Sequence, residues 1–127
     1  MAFLFHKAYT YSCFSLLELL FLRAFFYNFR LFTTPIIFLD LLIKRFDIQP
    51  PTSSLSQDEF TLWTNRVLVP VRLRVYNVIK TWLETFFSYD TDACIEQTLI
   101  EFVTGSLMQV MAAPGKRMME LVRKCVS

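Results

Sequence analysis

The chain has 127 residues, 54% of them hydrophobic and only 19% charged, with a net charge of +2 and two glycines. One domain with one core is the simplest organisation at this length, and so apolar a composition excludes disorder for the chain as a whole. The small net charge gives no footing for nucleic acid, and the scarcity of glycine disfavours tight hairpins and phosphate-cradling loops and favours helices.

The first 24 residues are rich in Phe and Leu. Their longest uncharged run, Ala8 to Leu17, is too short to span a bilayer, and Glu18 and Arg23 interrupt the apolar stretch beyond it. Each central charge costs about 2.5–3.5 kcal/mol on insertion. The segment has no clear small-x-small cleavage site. A buried or partner-covered helix is therefore favoured here over a membrane anchor. Thr34 and Pro35 make an N-cap and a first helical position. From Ile36 to Phe46 only Asp40, Lys44 and Arg45 are polar, which predicts a helix buried on most of its circumference. Residues 47–54, with two prolines and two serines, break it.

Ser56 and Glu59 fit a capping box, with Leu55 and Phe60 placed as a hydrophobic staple. That helix is expected to run to about Val67, and a new, long helix to start at Pro70. In the long helix Val71, Val75, Val78, Ile79, Trp82, Leu83 and Phe86 fall within roughly 140° of arc. Trp82 is at the centre of that apolar face. Asp90-Thr91-Asp92 reads as another acidic helix start. Ile95, Leu99, Phe102, Val103 and Leu107 form the next apolar stripe, which Gly105 weakens locally. Residues 113–115, Ala-Pro-Gly, break the chain. Met118, Leu121, Val122 and Cys125 give a last stripe at i, i+3, i+4 and i+7. The prediction is an all-α single domain of about six packed helices.

Two blocks carry a family resemblance. Phe29-Arg30-Leu31-Phe32-Thr33-Thr34-Pro35, followed by Leu39-Asp40-Leu41-Leu42-Ile43-Lys44-Arg45-Phe46, is similar to a Tyr-Arg-x-Phe-Thr-Thr-Pro…Leu-Leu…Arg-Phe signature. Pro70-Val71-Arg72-Leu73-Arg74-Val75-Tyr76-Asn77-Val78, with Trp82 further on, is similar to a Pro-Val-x-Leu-Arg-Val-x-Asn-Val…Trp helix. Both belong to the N-terminal module of Ras-family guanine nucleotide exchange factors, of fungal type. The resemblance covers about residues 25–125. It divides the chain into an atypical apolar segment, 1–24, and the exchange-factor N-terminal domain, 25–127. Phe29 stands where the family usually has Tyr, Leu31 where it has a small residue, and the lead-in is less polar than usual.

The resemblance implies a non-catalytic regulatory and structural module that supports a separate catalytic exchange domain in small-GTPase signalling. The implied partners are that catalytic domain, in cis or in trans, and a Ras-family GTPase. The implied location is cytoplasmic, with recruitment to the inner face of the plasma membrane. The alternative is a small membrane-associated helical protein anchored by its apolar N-terminus.

Catalytic groups are hard to find. His6 is the only histidine and has no carboxylate or thiol at helical spacing. Asp90 and Asp92 lack further metal ligands nearby, and Asp58 and Glu59 belong to a helix start. There is no Gly-x-x-x-x-Gly-Lys-Ser/Thr loop. Arg72, Arg74 and Lys80 read as a solvated face. Cys13, Cys94 and Cys125 make neither a metal spacing nor a disulfide framework and read as reduced, partly buried thiols. No catalytic residue, cofactor or metal is expected. One anomaly remains: Leu73 points about 150° from the centre of the apolar arc, beside Lys80 and Glu84. With Arg74 on its flank, it is the candidate for a second contact surface. Phe14, Leu17, Leu20, Phe21, Phe25 and Phe26 form a broad apolar surface that predicts poor solubility alone and rescue by a helical partner.

Overall fold

The computed structural model describes residues 15–126. His6, Cys13 and Phe14, and most of the apolar run at the start, lie outside the described residues. The rest is helical, with no strand among the described residues.

Helix α1, Leu16–Asn28, begins at Ser15, whose hydroxyl accepts the amide of Glu18, and passes into a 3-10 turn at Phe29–Leu31. Helix α2, Pro35–Phe46, starts as its sequence predicts: Thr34 Oγ1 accepts the Ile37 amide at 3.2 Å and Pro35 takes the first turn. The Ser56 capping box closes in both directions, Glu59 N to Ser56 Oγ at 3.1 Å and Ser56 N to Glu59 Oε1 at 3.0 Å. It opens helix α3, Gln57–Trp63. A π turn, Thr64–Leu68, leads into α4, Val69–Thr81, and a second π turn, Trp82–Phe86, closes it.

The break expected between Val67 and Pro70 does not occur. A proline inside a helix removes one N–H and its ring collides with the carbonyl four residues back. The i→i+5 turn just before it supplies a wider ring in place of the regular ladder, with the Val69 amide bonding to Thr64 O. The chain therefore runs helically from 57 to 86, and the described residues form five helical rods, close to the about six that the sequence suggested.

After a turn come the short α5, Tyr89–Asp92, a 3-10 turn, Ala93–Ile95, and α6, Glu96–Phe102. A third π turn, Val103–Leu107, contains Gly105 and leads to α7, Met108–Val110. Met111 leaves helical conformation, and α8, Ala112–Val126, folds back. The return is tight: a Cβ on Gly115 would lie 2.6 Å from Met108 Cγ and 3.0 Å from Met108 Cα. The expected break thus falls at Met111, and Pro114 takes the first turn of the new helix.

Trp82 is fully buried at the centre of the core. Phe26, Phe29 and Phe38 surround it, with ring centroids 5.9, 5.6 and 5.3 Å away. Ile95, Leu99, Phe102, Val103 and Leu107 are all buried, as their spacing predicts. Met118 and Val122 bring α8 against the same core. Helix α2 departs from expectation: Leu39 and Phe46 are buried, but Ile37 and Leu41 lie open to solvent.

Candidate functional site

Two features stand out, a buried ionic clasp and an uncovered apolar helix. The clasp centres on Asp92, whose side chain has no exposed surface. Its carboxylate accepts Arg30 Nε at 2.9 Å and is paired with Arg30 Nη2, in a two-pronged contact. It also accepts Trp82 Nε1 at 3.0 Å, the Ser88 amide at 3.1 Å and the Thr91 hydroxyl at 3.0 Å. Arg30 in turn donates to the carbonyls of Phe86, at 3.3 Å, and Phe26, at 3.4 Å. Those carbonyls belong to the ends of the 57–86 rod and of α1, where helical partners run out. Burial pushes the Asp92 carboxyl up. The hydrogen bonds from Arg30, Trp82, Ser88 and Thr91 outweigh burial and hold it below the ordinary carboxylate range.

Arg30 and Trp82 come from the two separate sequence blocks, and Asp92 joins them. The reading of Asp90 to Asp92 as a helix start is right in position, since α5 begins there. It misses what Asp92 does. The available signal was weak: a lone arginine in an apolar stretch needs a counter-charge, but nothing in the spacing selects Asp92 from the other carboxylates.

The uncovered feature is α1. Leu22 and Phe26 enter the core, and Phe25 is half-buried on it. Leu16, Leu17, Leu19, Leu20 and Phe21 remain exposed, Leu17 at 77% and Phe21 at 69%. Apolar grooves run along both sides of the helix. One lies against the second π turn, lined by Leu16, Leu20, Arg23, Thr85 and Phe86 among others. The other lies against α4, lined by Leu17, Glu18, Phe21, Leu22, Arg74 and Val78.

Arg74 stands at the rim of the second groove and grips Glu18 with both prongs, at 2.7 and 3.1 Å. These hydrogen bonds hold the Glu18 carboxyl below its ordinary range. Leu73 is not on an open face: it is only 5% exposed. The amphipathic reading gave α4 one buried side. Leu73, Val75, Tyr76, Asn77 and Ile79 are all buried, an arc of roughly 200° at 100° per residue. The helix sits in the middle of the array and not at its edge. Arg72 folds back on α2, donating to Phe46 O at 3.2 Å with its guanidinium over the Phe46 ring.

Among the described residues no group of His, Cys, Asp and Glu could hold a metal ion, and no helix is long and apolar enough to cross a membrane. Cys94 is an exposed free thiol; Cys125 is half-buried, donates to Leu83 O, and burial pushes its thiol up.

The family described as RasGEF N-terminal motif matches residues 3–102. The chain belongs to this family. Its RasGEF N-terminal motif therefore holds both halves of the clasp and all of α1. Cell division control protein 25 of Candida albicans is 46% identical over 39% of the chain. Ras guanine nucleotide exchange factor J of Dictyostelium discoideum is 35% identical over 62%, and factor F of the same organism 32% identical over 82%. The chain spans only 4%, 9% and 9% of these three relatives' lengths. No solved structure matches.

Proposed function

We propose that this chain is a non-catalytic regulatory module of a Ras-type guanine nucleotide exchange factor, which supports a separate catalytic exchange domain in cis or in trans. The observation that carries the reading is the RasGEF N-terminal motif over residues 3–102, in relatives whose names describe exchange factors and which are many times longer. The uncovered side of α1 at Leu16, Leu20 and Arg23 supports it, because an apolar patch rimmed by polar groups suits a protein partner. The second contact, assigned to Leu73 and Arg74, then rests on Arg74 alone at the surface. A Ras-family GTPase is the natural further partner, in the cytoplasm or at the inner face of the plasma membrane.

The test has two arms. In a fluorescent-nucleotide release assay the chain alone should leave the release rate from Ras-family GTPases unchanged; saturable acceleration would refute the non-catalytic role. Co-expressed with the catalytic domain of a similar exchange factor, the chain should co-purify, and Leu20→Glu should abolish this. Failure of the wild-type chain to bind that domain would remove the supporting role.

A further inference from the structure

We propose that the chain pairs with a second copy of itself along residues 57–68, the two stretches running antiparallel about Trp63. This goes beyond the role proposed above and stands without it. Helix α3 and the π turn that follows it contain no buried residue. The other helices of comparable or greater length, α1, α2, α4, α6 and α8, each send side chains into the core. Yet this stretch carries Phe60, Leu62, Trp63 and Val67, and Phe60, Leu62 and Val67 are exposed. A helical segment this short is marginal in water and owes its stability to an apolar face packed against something.

The apolar residues are spaced for another helix. Phe60, Trp63 and Val67 recur at i, i+3 and i+7, the spacing of a seam between paired helices. The rings of Phe60 and Trp63 are neighbours, with centroids 6.0 Å apart, so the line is continuous. Glu59 and Arg66 each stand one residue before a seam position, at the flank where paired helices place their charges. Both are exposed.

Those two charges select a second copy as the occupant. Glu59 lies four residues before Trp63 and Arg66 three residues after it. A two-fold axis beside Trp63 exchanges the two ends, so Glu59 of each copy comes opposite Arg66 of the other. A parallel pair would instead set each charge level with its like. Glu59 Oε1 already accepts the Ser56 amide, and a carboxylate has acceptor capacity beyond that one bond. A seam of three residues per copy is small against what a stable dimer buries, so the pairing is reversible and depends on concentration.

The experiment is sedimentation velocity of the full chain over about 5–500 μM, the range of a weak, small interface. Every sample carries Leu20→Glu, which silences the exposed face of α1. The expected result is a monomer–dimer equilibrium, with the Trp63 indole N–H resonance moving as concentration rises and that of Trp82 staying fixed. Arg66→Glu alone and Glu59→Arg alone each set like charges opposite one another and should weaken pairing about tenfold or more. An equimolar mixture of the two should restore it, because the mixed dimer regains both contacts between opposite charges. Glu59→Arg also removes the capping box; Phe60→Asp, at an exposed position, should abolish pairing with the helical spectrum intact and decides the matter without it. No self-association across that range would overturn the proposal. So would association that Arg66→Glu and Phe60→Asp leave unchanged, or a mixture that pairs no more tightly than either variant. A chain that stays monomeric and loses a catalytic exchange domain on Phe60→Asp would assign the seam to that domain and overturn it equally.

Discussion

Removing the Asp92 carboxylate should be among the most damaging single changes in this chain. Asp92→Ala strands the Arg30 guanidinium, the Trp82 indole N–H and the Ser88 amide together. An unsatisfied buried donor costs about 1–3 kcal/mol, and breaking a buried ion pair from one side costs about 3–5 kcal/mol. These penalties overlap, since Arg30 is still 28% exposed and water can reach it. A loss of about 3–5 kcal/mol is expected, against a total stability of about 5–15 kcal/mol for a domain. At roughly 4 °C per kcal/mol the melting temperature should fall by about 12–20 °C. Arg30→Met alone should also destabilise, because the carboxylate then stays buried without its cation. The double variant Arg30→Met/Asp92→Leu should recover the part of the loss that comes from the stranded Arg30 charge, since replacing both members of a buried ion pair with apolar groups is often neutral, while the Trp82 indole N–H and the Ser88 amide stay without their acceptor. Thermal melts of wild type, Asp92→Leu, Arg30→Met and the double variant close a double-mutant cycle, and the indole N–H resonance of Trp82 reports the local bond. A melt of Asp92→Ala within two degrees of wild type would refute the clasp. Its pH dependence has a fixed sign. The folded carboxyl sits below the ordinary value of 3.8, so its contribution is complete above that pH and lost as pH falls beneath it. Asp92→Asn should remove that acid-side loss.

The two glycines should respond oppositely to alanine. Gly115→Ala should cost about 1–3 kcal/mol in a denaturant titration, because its Cβ meets Met108 side chain and backbone. Gly105→Ala, with nothing within 4 Å, should instead stabilise by about 0.5–1 kcal/mol. Trp82→Ala should cost about 3–5 kcal/mol and leave little folded protein by circular dichroism. Glu18→Gln should change the melting temperature by only a few degrees, since an ion pair this open contributes at most about 1 kcal/mol.

Local signals carried the helix starts. Thr34, Ser56 and the break after Phe46 each depend on residues a few positions apart, and each lies where its sequence puts it. Trp82 was legible for the same reason, being the middle of a seven-residue stripe. The features that local reading missed depend on distant neighbours. Leu73 looks outward if α4 has one buried side, but a helix in the middle of the array is covered on several. Pro70 looks like a start because the rule for proline assumes a regular ladder, and a π turn relaxes that ladder. Arg30 and Asp92 stand 62 positions apart, a separation over which no periodicity operates.

The clasp and the uncovered helix are parts of one arrangement. Arg30 lies one turn beyond Phe26, bonds to the Phe26 carbonyl, and holds the last carbonyl of the 57–86 rod and the Asp92 carboxylate at the same time. The C-terminal end of α1 is thus fixed to the core by Leu22, Phe26 and Arg30. Its N-terminal half is tied to the rest by the open Glu18–Arg74 pair and projects Leu16, Leu17 and Leu20. A helix anchored firmly at one end and weakly at the other transmits a force on its free half to its anchor. Occupying either groove along α1 should therefore be felt at Trp82, whose indole shares the Asp92 carboxylate with Arg30. Adding a catalytic exchange domain should shift the Trp82 indole N–H resonance while leaving that of Trp63 in place. If both indole signals stay fixed when either groove is filled, the two ends of α1 are mechanically independent and the clasp is a stabilising device alone.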